Sequence, residues 1–226
     1  MYYLIHLEYH RIILVNILSM ARKDLMKSLI VVLLVISTIS CNSNAVRIGD
    51  YNNPQKALLV IDMQIDYIGE NAKFPIERNQ IENLIITINK IIDEYHKMDY
   101  SIIYLRRIFR KNDIGNFFRN YACVEGTSGV DIDQRINIVS QNIFNKYAPD
   151  SFSSNAFENY LIENEINELY LCGVMADECV YETALGGYSR NYRINYIANA
   201  VGSTSIKNIE KAINKLSKKG INIVYY

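Results

Sequence analysis

This sequence predicts an α/β fold built on a parallel sheet covered on both faces, and three observations lead there. Short, continuous apolar runs rich in Val, Ile and Leu recur along the chain. Their length and residue types suit strands buried on both faces. Between them lie segments whose apolar residues repeat at helical spacing, and strands alternating with helices imply right-handed crossovers between parallel neighbours.

The first strand is predicted at 57–62, ALLVID. A helix follows over 79–99, where Ile81, Leu84, Ile85, Ile88, Ile91, Ile92 and Tyr95 share one face. SIIYL (101–105) is the second strand, and 106–130, with Gly115, Gly126 and Gly129, reads as loop. DIDQRINIVS (131–140) reads as a short helix, and NIFNK (142–146) as a brief extended piece. A helix is expected over 155–166 with Phe157, Leu161 and Ile162 on one face, then a strand over 168–174 and a helix over 177–190. RINYIAN (193–199) is another strand. Ser205 is positioned to cap a helix whose Ile206, Ile209, Ile213 and Leu216 face inward. Gly220 ends that helix, and INIVYY (221–226) is the last strand.

The N-terminal segment is of another kind. MKSLIVVLLVISTISC, Met26 to Cys41, has a basic start, an apolar run and small or polar residues before a cysteine. That is the layout of a secretory signal, and the run is short for a membrane span. Ser40–Cys41 resembles a lipoprotein processing site, although Thr38 stands where an aliphatic residue is more usual. The expectation is a signal segment over 1–41 with Met20 or Met26 as alternative starts, a linker over 42–56 and one domain over 57–226. Cys41 would then carry a lipid that tethers an exported protein to the membrane, facing the periplasm. An uncleaved anchor and a cytoplasmic protein are the alternatives.

Composition narrows the function. The formal net charge is +0, so no basic field points to nucleic acid. Beyond Cys41 lie Cys123, Cys172 and Cys179, an odd set that leaves at least one thiol free. Of the three histidines, His6 and His10 fall in the N-terminal segment and His96 falls mid-helix. A histidine-rich metal site or a Cys-His pair is therefore hard to build, and no metal and no cofactor are expected.

Parallel sheets gather functional groups at the carboxyl ends of their strands. Three groups fall there: Asp62 after the first strand, Lys146 after the 142–146 piece and Cys179 after the 168–174 strand. Asp177 is a plausible N-cap, placing Cys179 in the first helical turn, where free N–H groups and the helix dipole favour a thiolate. Lys146 would lower the thiol's pKa further, and Asp62 would accept its proton. Taken singly, each residue has a plainer reading: a buried small side chain, a turn carboxylate and a solvated ammonium.

With those residues in view, LLVIDMQIDY (58–67), Lys146 ahead of DSFSSNAF, and LCGVMADECVYETALGGYSRNYRINYIANAV (171–201) resemble the isochorismatase-like cysteine hydrolase superfamily, which includes nicotinamidases and carbamoyl-amide hydrolases. The resemblance covers about residues 55–205. It implies a Rossmann-like three-layer α/β/α sandwich with a six-stranded, mostly parallel sheet. It implies Asp62, Lys146 and Cys179 as the catalytic triad. It also implies a cis peptide between Val174 and Met175, with the N–H groups of Met175 and Cys179 as oxyanion donors. Gln64, Arg107 and Phe152 are candidates for the substrate pocket, Phe152 equally for the core. A small-molecule substrate and a homo-oligomer are the implied partners. Nicotinamidases carry an Asp and two His for a metal after the second strand, whereas YLRRIFRKNDIGNFF (104–118) has no His. The implied activity is hydrolysis of a small amide or carbamoyl-type C–N bond through a thioester. The alternatives are an ether hydrolase using Asp62 alone, or an inactive surface binding protein of the same fold.

Overall fold

The computed structural model describes Ile48 and residues 51–226. The signal segment with Cys41, the histidines His6 and His10, and most of the linker lie outside the described residues.

Six strands form one sheet: β1 (Gln55–Ile61), β2 (Ser101–Arg107), β3 (Ile143–Lys146), β4 (Ile166–Val174), β5 (Arg193–Gly202) and β6 (Asn222–Val224). Their spatial order is β3-β2-β1-β4-β5-β6, and every neighbouring pair is parallel. The chain winds outward from β1 through β2 to β3, then returns to the other side of β1 with β4. The reversal falls between β1 and β4, and open parallel sheets bind ligands outside the strand ends at such a point.

Period-two alternation gives each strand two buried faces. Leu58 and Val60 pack with the long helix α2 (Arg78–Lys97), which follows the short α1 (Ile65–Ile68). Ala57, Leu59 and Ile61 pack on the opposite face with α3 (Asn155–Glu163), α4 (Cys179–Ser189) and α5 (Ile206–Lys218). Helix α2 buries Ile81, Leu84, Ile85, Ile88, Ile91 and Ile92, the predicted stripe. Each such side chain contributes about 1.5–3 kcal/mol on burial. The three-layer α/β/α sandwich is therefore the observed architecture, with a sheet that is wholly parallel.

Two expectations need correction. Residues 131–140 form no helix. Asp133 takes the Arg135 backbone N–H and guanidinium, and Asn89 accepts from Asn137 N at 2.9 Å. Tyr104 Oη accepts from Val139 N at 3.1 Å. These side chains claim the donors a helix would use. Ser205 caps α5 as predicted, its Oγ accepting from Asn208 N at 3.2 Å, and Ile209, Ile213 and Leu216 pack inward with Ala212, but Ile206 is exposed. At the first helical position Ile206 has no turn beneath it to carry it onto the sheet.

Candidate active site

The site forms where β1 and β4 end. Asp62 follows β1 with a left-handed φ of 55° and is held by its N–H on Leu105 O at 2.9 Å. A non-glycine residue in that region is uncommon and worth functional scrutiny. Gly173 makes the neighbouring strand fit: its φ is 119°, and a Cβ there would lie 2.0 Å from Ile61 O. β3 brings in Lys146, whose Cα is in register with Arg107 of β2.

Asp62 and Lys146 are both fully buried and form an ion pair at 2.8 Å, Nζ to Oδ2. Lys146 also donates to Pro149 O at 3.1 Å. Burial, the largest single influence, would lower the Lys146 pKa, but Asp62 and Cys179 together outweigh it and hold the ammonium above its ordinary value. The other carboxylate oxygen, Asp62 Oδ1, is buried without a hydrogen-bond partner.

Cys179 opens α4 and is itself buried. Its thiol is pushed up to about 12, first by burial and then by the Asp62 charge, with Lys146 only partly opposing them. The expected resting thiolate is thus corrected to a neutral thiol beside a carboxylate. The sequence showed the ammonium and the helix terminus, but not how deeply Cys179 is buried. Asp177 is not the cap of α4 either. The cap position is Glu178, with no side-chain bond, and Asp177 Oδ1 accepts from Ser203 Oγ instead.

The Val174–Met175 peptide is cis. Among the described residues, the N–H groups of Met175 and Cys179 make no backbone hydrogen bond, whereas Ala176 N is tied to Gly202 O at 2.8 Å.

A cavity of about 310 Å³ opens onto Asp62 and Cys179, and Arg107 and Met175 also line it. The two other pocket candidates do not. Gln64 is fully buried, donating to Arg107 O and Val130 O at 2.9 Å each and accepting from Arg107 N at 2.8 Å. It fixes the end of β2 rather than meeting a ligand. Phe152 is core, stacked with Phe157 and Tyr192, each at 5.3 Å between ring centroids. Sequence reasoning missed Tyr67, Phe74, Phe109, Arg119 and Glu178, which line the wall together with Ala122 and Pro149. Arg119 sits in a short 3-10 turn, Ile114–Arg119, inside the stretch read as loop, where no periodicity marks one cation above its neighbours.

The isochorismatase domain model matches residues 56–225. The chain belongs to the isochorismatase family. Its relatives include the isochorismatase family protein YddQ of Bacillus subtilis, 25% identical over 70% of this chain and 83% of the relative. Among solved structures, an isochorismatase-like hydrolase from Alkaliphilus metalliredigens is similar at 26% identity and a TM-score of 0.68, covering 76% of this chain and 94% of that one. A pyrazinamidase of Pyrococcus horikoshii in complex with zinc is similar at 25% identity and a TM-score of 0.63, covering 76% and 100%. Among the described residues, no group of three or more His, Cys, Asp or Glu could hold a metal ion. The cavity wall past β2 presents the guanidinium groups of Arg107 and Arg119 instead.

Proposed function

We propose that this isochorismatase-family hydrolase cleaves a small amide or carbamoyl-type C–N bond through a thioester on Cys179. The observation that carries the reading is the division of labour on Asp62. One oxygen is held by Lys146 at 2.8 Å, and the other is buried and unpartnered, on a residue that lines the cavity together with Cys179. A general base needs a lone pair facing the proton it removes, and Oδ1 supplies one. The similarity to a pyrazinamidase agrees with amide chemistry.

Asp62 Oδ1 takes the Cys179 proton as Sγ attacks the carbonyl carbon. The new oxyanion lies against the N–H groups of Met175 and Cys179. Collapse breaks the C–N bond, and the leaving nitrogen receives the proton from Asp62. The thioester remains on Sγ. Water then gives a proton back to Asp62 and attacks the thioester, releasing the acid and restoring the thiol. Lys146 holds Asp62 through Oδ2 at 2.8 Å and balances the negative charge as it passes from the Asp62 carboxylate to the thiolate. A neutral resting thiol fits this cycle, because the thiolate forms only as substrate arrives and its charge passes at once to the oxyanion.

Rapid acid quench of turnover on a primary amide, followed by peptide mass analysis, tests the covalent step. An acyl adduct on the peptide containing Cys179, converted to a hydroxamate by hydroxylamine, is the expected result. Turnover with neither adduct nor hydroxamate would sink the mechanism.

A further inference from the structure

Among the described residues, three buried side-chain polar atoms lack a hydrogen-bond partner: Asp62 Oδ1, Arg107 Nη1 and Arg119 Nε. All three belong to residues lining the same cavity. Buried polar groups are ordinarily paired, so three unpaired ones around a single space mark where a ligand supplies their partners. Asp62 Oδ1 is taken by the thiol chemistry. The two guanidinium donors have no part in it.

Arg107 is 9% exposed and, among the described residues, its side chain makes no hydrogen bond and no ion pair. Its guanidinium lies 4.5 Å from the centroid of Phe109, and that of Arg119 lies 3.8 Å from the same centroid. Arg119 Nη2 is tied to Asp113 at 2.9 Å and to Asn116 at 3.0 Å, which leaves Nε for a ligand. A buried cation without a counter-ion is costly unless something anionic arrives. Glu178, the other carboxylate on the wall, is exposed and feels the Arg107 charge, but forms no ion pair with it. Strand alternation explains the choice of arginine: the adjacent Arg106 points to the other face and pairs with Asp131 at 3.6 Å.

We propose that the substrate is a small amide bearing a carboxylate, with one carboxylate oxygen on Arg107 Nη1 and the other on Arg119 Nε. This rests on the amidase reading of the same site. Guanidinium donors also suit phosphate. A cavity of about 310 Å³ is at the small end for ligand sites, and each arginine brings one buried unpartnered nitrogen, one for each carboxylate oxygen.

The test compares the monoamides of malonic, succinic and glutaric acids with neutral primary amides of matching length, by ammonia release. Wild type should prefer an acid monoamide. Arg107→Met should cut that preference by roughly tenfold to a hundredfold, the range for a charged hydrogen bond, mainly through KM, with a smaller change on the neutral amide. Binding of the same probes to Cys179→Ala, followed by calorimetry, should weaken likewise when Arg107→Met is added. Arg107→Met should fold with a Tm close to wild type, because the side chain makes no hydrogen bond or ion pair and loses only its contact with the Phe109 ring; should it not fold, Arg119→Met must show the same loss of preference. Equal Cys179-dependent turnover of both amide classes would overturn the carboxylate and leave the amidase standing. Arg107-dependent binding of an acid monoamide without any ammonia release would uphold the carboxylate and overturn the amidase. Neither binding nor turnover of any acid monoamide would overturn the inference itself.

Discussion

Removing Lys146 should leave a charge stranded in the middle of the protein. Its side chain is 0% exposed and that of Asp62 is 1% exposed, with 2.8 Å between Nζ and Oδ2. At that separation and an effective dielectric of about 20, the attraction is about 6 kcal/mol. The desolvation of both ions offsets much of it, so the pair adds little net stability, but losing one partner exposes the whole cost of the other. Lys146→Met and Asp62→Asn should each destabilise the fold by about 3–5 kcal/mol. The double variant should lose clearly less than the two losses combined. The hydrogen bond from Lys146 to Pro149 O is lost in both lysine variants and so cancels in the cycle. Urea unfolding of the four proteins at pH 7, with matched m-values, gives the coupling directly. A coupling of about 2–3 kcal/mol is expected. Additive losses would refute the buried pair.

Other outcomes follow from the same geometry. Alkylation of Cys179 by iodoacetamide should still be accelerating at pH 10, because burial and Asp62 push the thiol up to about 12. Asp62→Asn should shift the profile down and Lys146→Met should shift it up; a wild-type midpoint below about 8.5 would contradict the buried, carboxylate-flanked thiol. The same thiol links stability to pH. Its folded value lies above the unfolded value of about 8.5, so its contribution is complete below that pH and is lost as pH rises toward the folded value. Between pH 8.5 and 10, wild type should lose about 2 kcal/mol more than Cys179→Ala; parallel denaturation curves would rule this out. Gly173→Ala should cost more than about 4 kcal/mol and abolish turnover, since its Cβ would meet Ile61 O at 2.0 Å and push on the strand that carries Asp62. Full stability in urea would show that the strands can part there.

The strand and helix pattern was legible because the sheet is buried on both faces, so its strands are uninterrupted apolar runs, and because α2 shows its whole stripe to the core. The positions of Asp62, Lys146 and Cys179 were legible as strand-end residues for the same reason. Orientation was not. Gln64 lies two residues from Asp62, yet its amide turns back to bond Arg107 and Val130. Phe152 follows Lys146 closely and sinks into the core against Phe157. Residues 131–140 mimic a helix through Ile132, Ile136 and Val139, but side chains from Asn89 and Tyr104, distant in sequence, hold them extended. The thiol's protonation state failed for a related reason: the flanking charges can be read from a sequence, whereas burial has to be seen.

Ammonia release by Cys179→Ala on an amide that wild type hydrolyses tests the central claim most directly. Attack by Sγ predicts a fall of at least about a thousandfold with the fold intact, as expected when a covalent nucleophile is removed. Turnover retained within tenfold would mean that the carbonyl is attacked by something other than Cys179.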